Sequence, residues 1–226
     1  MANTLFLRLE GPMQSWGERA RWSVRDTADA PTKSGIVGLL ACALGWNTDP
    51  DLRNLSQQIR LGVRCDRPGT PLIDFHTVVG GVMSAEGKVK KNANTGKAET
   101  VVSWRHYLCD ASFLAAVQAD DSGLITRLAE AIQSPRWPVF LGRKSCPPGL
   151  PPYAGVGDYP GLIEALQSTP LNTPQKQDPL QVRAVIECRP GEGVRRREEI
   201  DSRSFRTFLP RYTMEVSLTV KVLQEA

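Results

Sequence analysis

Leu5, Leu7 and Leu9 alternate with Phe6 and Arg8, the period of a strand with one face in the core, and Gly11-Pro12 ends it. Met13 to Ala30 is polar, arginine-rich and aperiodic, so it reads as a long loop, a type that in compact domains is usually functional or disordered. Pro31-Thr32 opens a helix to about Leu44, with Gly45 as its stop. That helix is apolar almost all round and carries Gly35, Gly38, Ala41 and Cys42. It is therefore expected to be buried, with another element packed over its glycines. Asp51 to Gln58 predicts a short helix, and Ile59 to Cys65 a strand ended by Arg67-Pro68-Gly69.

Ile73 to Met83 and Thr100 to Leu108 both read as strands. Between them, Ser84 to Glu99 is rich in Gly, Asn and Lys, which predicts a hairpin with a solvated basic tip. Phe113, Ala115 and Val117 extend the second strand past Asp110 in this reading. Ser122 is the expected N-cap of a helix to Gln133, with Leu124, Leu128 and Ile132 on one face. Val139 to Leu141 reads as a short strand, Cys146 to Pro152 as irregular, Pro160 to Gln167 as a short helix and Ser168 to Pro179 as a loop. Val182 to Cys188 and Tyr212 to Val222 read as strands, the last with Met214, Val216, Leu218, Val220 and Val222 alternating with polar residues. The order is compatible with an α+β, ferredoxin-like βαββαβ domain, a frequent platform for single-stranded RNA.

Composition changes this picture little. Of 226 residues, 41% are hydrophobic and 23% charged, as in ordinary globular proteins. The longest apolar run, Ile36 to Leu44, is too short for a membrane span, and no basic signal-peptide region opens the chain, so a cytoplasmic protein is expected. Five scattered cysteines and two histidines show no metal-ligand spacing, so neither a metal nor a disulfide nor any other cofactor is expected. Net charge is only +4. Its distribution matters more: Lys88, Lys90, Lys91 and Lys97 cluster, as do Arg136, Arg143 and Lys144, while Arg195 to Arg197 are followed at once by Glu198, Glu199 and Asp201.

Four blocks carry a resemblance. They are Gly11-Pro12-Met13-Gln14-Ser15-Trp16-Gly17 with Arg25-Asp26-Thr27, then Pro31-Thr32-Lys33-Ser34-Gly35-Ile36-Val37-Gly38, then Arg105-His106-Tyr107-Leu108-Cys109-Asp110-Ala111, and Phe140-Leu141-Gly142-Arg143-Lys144-Ser145-Cys146-Pro147. Together they resemble the CasD family of CRISPR Cascade complexes, in particular its type I-E branch. The resemblance implies a single ferredoxin-like RAMP-type domain over residues 1–226, with a β-hairpin thumb at about 76–106 and a C-terminal β extension at about 180–223. It implies a non-catalytic subunit that clamps the 5′ handle of the crRNA. The implied partners are the CasC backbone subunit, the large CasA subunit and target DNA, reached indirectly or through the thumb, but no membrane.

Gripping an RNA end requires cations for phosphates, flat groups for bases and backbone donors for phosphate oxygens. The candidates are Gln14, Ser15 and Trp16 after the first strand, Arg25 in the loop, and Lys33 and Ser34 at the helix start. Lys88, Lys90 and Lys91 at the tip, Arg105 and Tyr107 on one strand face, and Arg143 and Lys144 after a strand end complete the set. Each has an alternative: Trp16 can stack on a base or plug the core edge, Lys33 can bind phosphate or belong to a capped helix, and arginines of the loop, Arg19 and Arg21 included, can be merely solvated. The Lys33-Ser34 pair lacks the glycines of a nucleotide-binding P-loop, which excludes an NTPase. A metal-independent endoribonuclease is the rival function, with His76, His106, Tyr107 and Lys33 as its available acid–base groups.

Overall fold

The computed structural model describes residues 1–18, 23–80, 83, 87–89, 91–171, 179–202 and 207–223. In chain order its elements are β1 (Thr4–Glu10), β2 (Met13–Gln14), β3 (Val24–Arg25), α1 (Lys33–Leu44), α2 (Asp49–Gln58), β4 (Arg60–Arg67), β5 (Thr70–Val78), β6 (Val101–Cys109), β7 (Ser112–Gln118), α3 (Ser122–Gln133), β8 (Tyr153–Gly157), α4 (Leu162–Ser168), β9 (Leu180–Glu187), β10 (Val194–Ser202) and β11 (Thr207–Val220). The fold is mixed α and β around two sheets, and no described helix is long and apolar enough to cross a membrane.

The larger sheet has seven strands in the order β10-β11-β9-β4-β7-β1-β8, all pairings antiparallel. Its middle is buried on both faces. Leu5, Leu7, Leu9, Phe113, Ala115 and Val117 join a core with residues of α1, α2 and α3. The alternate residues Phe6, Leu114 and Ala116 pack with Leu162, Ala165 and Leu166 of α4. The one-sided burial expected of the first strand is thus incomplete, because α4 covers the second face. The smaller sheet is built on β6, which pairs with β5 along its whole length and, on its other edge, with β2 and β3.

Thr32 caps α1 by accepting from the Gly35 N–H at 3.3 Å, and Gly45 ends it in the left-handed region at φ 75°. Only one of its two interior glycines serves close packing. A Cβ on Gly35 would lie 2.7 Å from the Trp16 ring, whereas one on Gly38 would meet nothing within 4 Å.

Several elements depart from expectation. β6 and β7 are separate strands, divided where Asp110 turns through φ 57° and the chain passes from the small sheet to the large one. Asp121, not Ser122, caps α3, accepting from the Gly123 N–H at 2.8 Å. Residues 139–141 form no strand; the Leu141 carbonyl accepts from Ser15 and its N–H donates to Cys146 as single bonds. The edge strand beside β1 is instead β8, whose two glycines give it little intrinsic preference for a strand. The Arg195–Arg197 run lies in β10, which reads in sequence as a charge cluster. Most of the 168–179 loop lies outside the described residues.

Candidate nucleic-acid interface

The small sheet sorts its residues by face. Cross-strand partners point the same way, and the β5–β6 register pairs Ile73 with His106, Asp74 with Arg105, Phe75 with Trp104 and His76 with Ser103. The parallel pairing of β3 adds Val24 beside Trp104 and Arg25 beside Arg105. One face therefore carries Arg25, Asp74, His76, Ser103, Arg105 and Tyr107, and the other Val24, Ile73, Phe75, Val102, Trp104 and His106. Ser103 and Tyr107 are buried on the first face, while Phe75 is 61% exposed and Trp104 44% exposed on the second. Arg25 is exposed; half-exposed Arg105 has its Nε 3.3 Å from the Ser103 hydroxyl. The two cations flank one another on neighbouring strands.

Gln14, Ser15 and Trp16 do not reach this surface. The Gln14 amide donates to the carbonyls of Leu9 and Ala111 at 2.9 and 2.8 Å, and its oxygen accepts the Trp16 indole N–H at 3.0 Å. The Ser15 hydroxyl donates to the His106 carbonyl at 2.9 Å. Trp16 is 1% exposed against Gly35. This block is the joint between the two sheets and α1, so the core-plug alternative holds for Trp16, and all three are corrected from ligand contacts to internal supports.

The expected anion site at the start of α1 is filled from within. Glu198 accepts the Lys33 backbone N–H at 2.8 Å, the position an incoming phosphate oxygen would take. Lys33 is 2% exposed, and its ammonium bonds Glu187 at 2.9 Å. Arg211 extends the cluster to Glu187 and Glu198, both at 3.1 Å. Lys33 is thereby corrected from phosphate ligand to member of a buried ion network, and half-buried Ser34 lies beside Thr32, their hydroxyls 3.4 Å apart. The lone sequence hint of this network was the acidic stretch after Arg197. Its physical content, pairing across more than 150 residues, is not local.

Arg143 is also engaged. Its guanidinium donates to the carbonyls of Arg25 at 2.7 Å, Asp26 at 3.0 Å and His106 at 3.2 Å, and stands 4.9 Å over the Tyr107 ring. It ties β3 to β6, which leaves two of its five N–H groups for other acceptors among the described residues. Arg143 and Tyr107 therefore hold Arg25 in place, and neither stands as an open contact. Lys144, by contrast, is exposed. At the hairpin tip Lys88 and Lys91 are exposed, with Lys91 bridged to Ala98; Lys90, like Arg19 and Arg21, lies outside the described residues. The structure thus gathers Arg25 and Arg105, adds Lys88 and Lys91 along the same hairpin, and withdraws Gln14, Ser15, Trp16 and Lys33. Of the third basic run, Arg196 faces Glu18 at 3.5 Å and Glu198 at 3.9 Å.

With this geometry the chain matches known proteins over most of its length. A family model described as CRISPR-associated protein (Cas_Cas5) matches residues 4–213. The CRISPR system Cascade subunit CasD of Escherichia coli (strain K12) is 38% identical over 168 residues, covering 69% of this chain and 72% of that protein. A solved chain described as a CRISPR RNA-guided surveillance complex superposes with a TM-score of 0.77 at 30% identity, covering 96% of this chain and 91% of the other. Another, described as the crystal structure of a Cas protein, gives 0.75 at 34% identity, covering 97% and 98%. The chain belongs to the CRISPR-associated Cas5 family, in its CasD branch.

Proposed function

We propose that this chain is the non-catalytic subunit of a type I-E Cascade complex that clamps the 5′ handle of the crRNA and caps the CasC backbone, in contact with CasA, for interference with target DNA. The observation that carries the reading is the β5–β6 hairpin, which holds Arg25 and Arg105 side by side and leads to the exposed Lys88 and Lys91. Cations spaced over neighbouring strands and the hairpin they lead into suit the spaced phosphates of a single strand. The run β1, α1–α2, β4, β7, α3, β8, with neighbour order β4-β7-β1-β8, supports a ferredoxin-like RAMP-type arrangement, in which β5–β6 serves as the thumb and β9 to β11 as the C-terminal extension.

A binding role is favoured over cleavage because the two histidines lie on opposite faces of the hairpin sheet. His76 sits 3.4 Å from Asp74 on one face and His106 is on the other, so they cannot serve one phosphodiester as acid and base. Purified chain incubated with repeat RNA in EDTA is expected to leave the RNA intact. Specific cleavage, lost in His76→Ala or His106→Ala, would overturn the binding-only reading. The clamp itself is tested by photocrosslinking the assembled complex to guide RNA with a photoreactive 5′ handle. Crosslinks to this chain are expected at the hairpin, and their absence would sink the assignment.

A further inference from the structure

The segment between β2 and α1 closes at a neck and is braced from outside. Trp16 and Ala28 form an antiparallel bridge, the Ala28 N–H donating to the Trp16 carbonyl at 2.6 Å. The Trp16 N–H donates to the Thr27 hydroxyl at 2.9 Å. Two carboxylates stand at this neck, and both reach arginines of the large sheet. Glu18 lies 3.5 Å from Arg196 of β10, with only 14% of its side chain exposed. Asp29 lies 2.7 Å from Arg183 of β9. Both arginines are themselves held, Arg196 donating to the Thr213 hydroxyl at 3.1 Å and Arg183 paired with Glu215 at 2.7 Å. Ala28, Asp29 and Pro31 also line a crevice with Arg196 and Arg211, so the end of the loop lies directly on the sheet.

We propose that Arg183 and Arg196 are positioning residues for RNA binding: they fasten the neck of the loop to β9 and β10 and so keep Arg25 beside Arg105. This rests on the RNA-binding role proposed above for Arg25. β3, which carries Arg25, is two residues long and pairs only with β6. So short a strand has few bonds of its own, and its place depends on what holds the chain on either side. Arg143 grips it from the side of β6, through the carbonyls of Arg25 and Asp26. Arg183 and Arg196 grip the neck from the large sheet. The charges argue for the same arrangement. Residues 13–30 hold three carboxylates, Glu18, Asp26 and Asp29, against three arginines. Pairing Glu18 and Asp29 with the sheet ties the loop down and also offsets carboxylates that would repel a phosphate backbone near Arg25.

The test uses the full-length chain and single-stranded repeat RNA, with affinity read by fluorescence anisotropy over a range of salt. Glu18→Gln and Asp29→Asn each make the chain more positive by one charge, so bulk electrostatics alone predicts tighter binding. The brace predicts the opposite. Each variant is expected to bind about 3- to 10-fold more weakly. The slope of log affinity against log salt should flatten by up to about 0.7, the value of one phosphate contact on a single strand. In an Arg25→Gln chain the same two replacements should cost no further affinity, because the contact they position is already gone. Glu130→Gln, which removes an exposed carboxylate from α3, is the control of equal charge. The Asp29 side chain is 65% exposed, so an unchanged thermal melt is expected of Asp29→Asn. Variants that bind as tightly as wild type, or more tightly, overturn the brace, as does an equal loss with and without Arg25. Wild-type chain that binds no RNA, or Arg25→Gln that binds as wild type does, removes the RNA-binding role of Arg25, and this inference with it.

Discussion

Removing the Glu198 carboxylate would leave the buried Lys33 backbone N–H without its acceptor and take one of two carboxylates from the Arg211 guanidinium, which keeps Glu187. A buried donor left without its acceptor costs about 1–3 kcal/mol. Glu198→Ala is therefore expected to lower the unfolding free energy from urea titration by that much, with a lower midpoint, and Glu198→Gln by less, because its amide oxygen still accepts. Equal midpoints for wild type and Glu198→Ala would refute the network. Arg143 makes a different case. Its three carbonyl contacts need a planar fork, so Arg143→Lys should be about as destabilising as Arg143→Ala, by about 2 kcal/mol, rather than conservative. Full stability in the lysine variant would argue against the three-carbonyl fork. Among the free cysteines, burial raises the thiols of Cys42, Cys65, Cys146 and Cys188 above their ordinary value. A raised folded-state thiol pKa means that these groups favour folding below the unfolded pKa and lose that contribution as pH rises through the folded one. Native chain should thus react with Ellman's reagent more slowly at neutral pH than urea-unfolded chain, the gap narrowing as pH rises. No difference between native and unfolded rates would contradict the buried thiols.

Helix α1 separates two glycines that look alike in sequence. Gly35→Ala drives a methyl against the Trp16 ring, which its hydrogen bond to Gln14 holds still. Overpacking of about 1–3 kcal/mol should outweigh the helix gain of about 1 kcal/mol, and the melting temperature should fall. Gly38→Ala faces open space and should stabilise by about 0.5–1 kcal/mol, raising it. The reverse order of melting temperatures would contradict the packing of Trp16 on α1. Which glycine is crowded depends on a residue of the preceding loop, and this explains what sequence could and could not give. Strands with clean alternation, such as β1 and β11, and a helix with its cap and stop, such as α1, were legible because their signals are local. β8 was not, for its glycines carry no strand preference, and β10 hid its inward Glu198 and Ile200 inside a run of charge. In the candidate site, Arg25 and Arg105 were legible as cations on a loop and a strand. The removal of Gln14, Ser15 and Trp16 from it follows from hydrogen bonds to Ala111 and His106, almost a hundred residues away. Asp110 makes the same point, since its turn between sheets has no glycine to announce it.

At the scale of the molecule, a net charge of +4 leaves little general attraction for RNA, so affinity must come from where a few cations stand. Several of the 28 basic residues are spent internally: Lys33 and Arg211 in the buried network, Arg64 on Asp66 at 2.6 Å, and Arg183 on Glu215 and Asp29, both at 2.7 Å. Arg25 on β3 and Arg105 on β6 stand side by side at the surface or near it. Each phosphate neutralised on a single strand steepens the plot of log affinity against log salt by about 0.7. Replacing both Arg25 and Arg105 by Gln should therefore flatten that slope by about 1.4 and weaken binding most at low salt. Lys33→Gln provides the contrast, since it removes the same charge from a residue whose ammonium is sealed against Glu187. It should lower the urea midpoint and leave the salt slope as in wild type. If Lys33→Gln flattens the slope while Arg25→Gln/Arg105→Gln does not, the RNA runs over the start of α1 rather than along the hairpin, and the internal ion network must open to admit it.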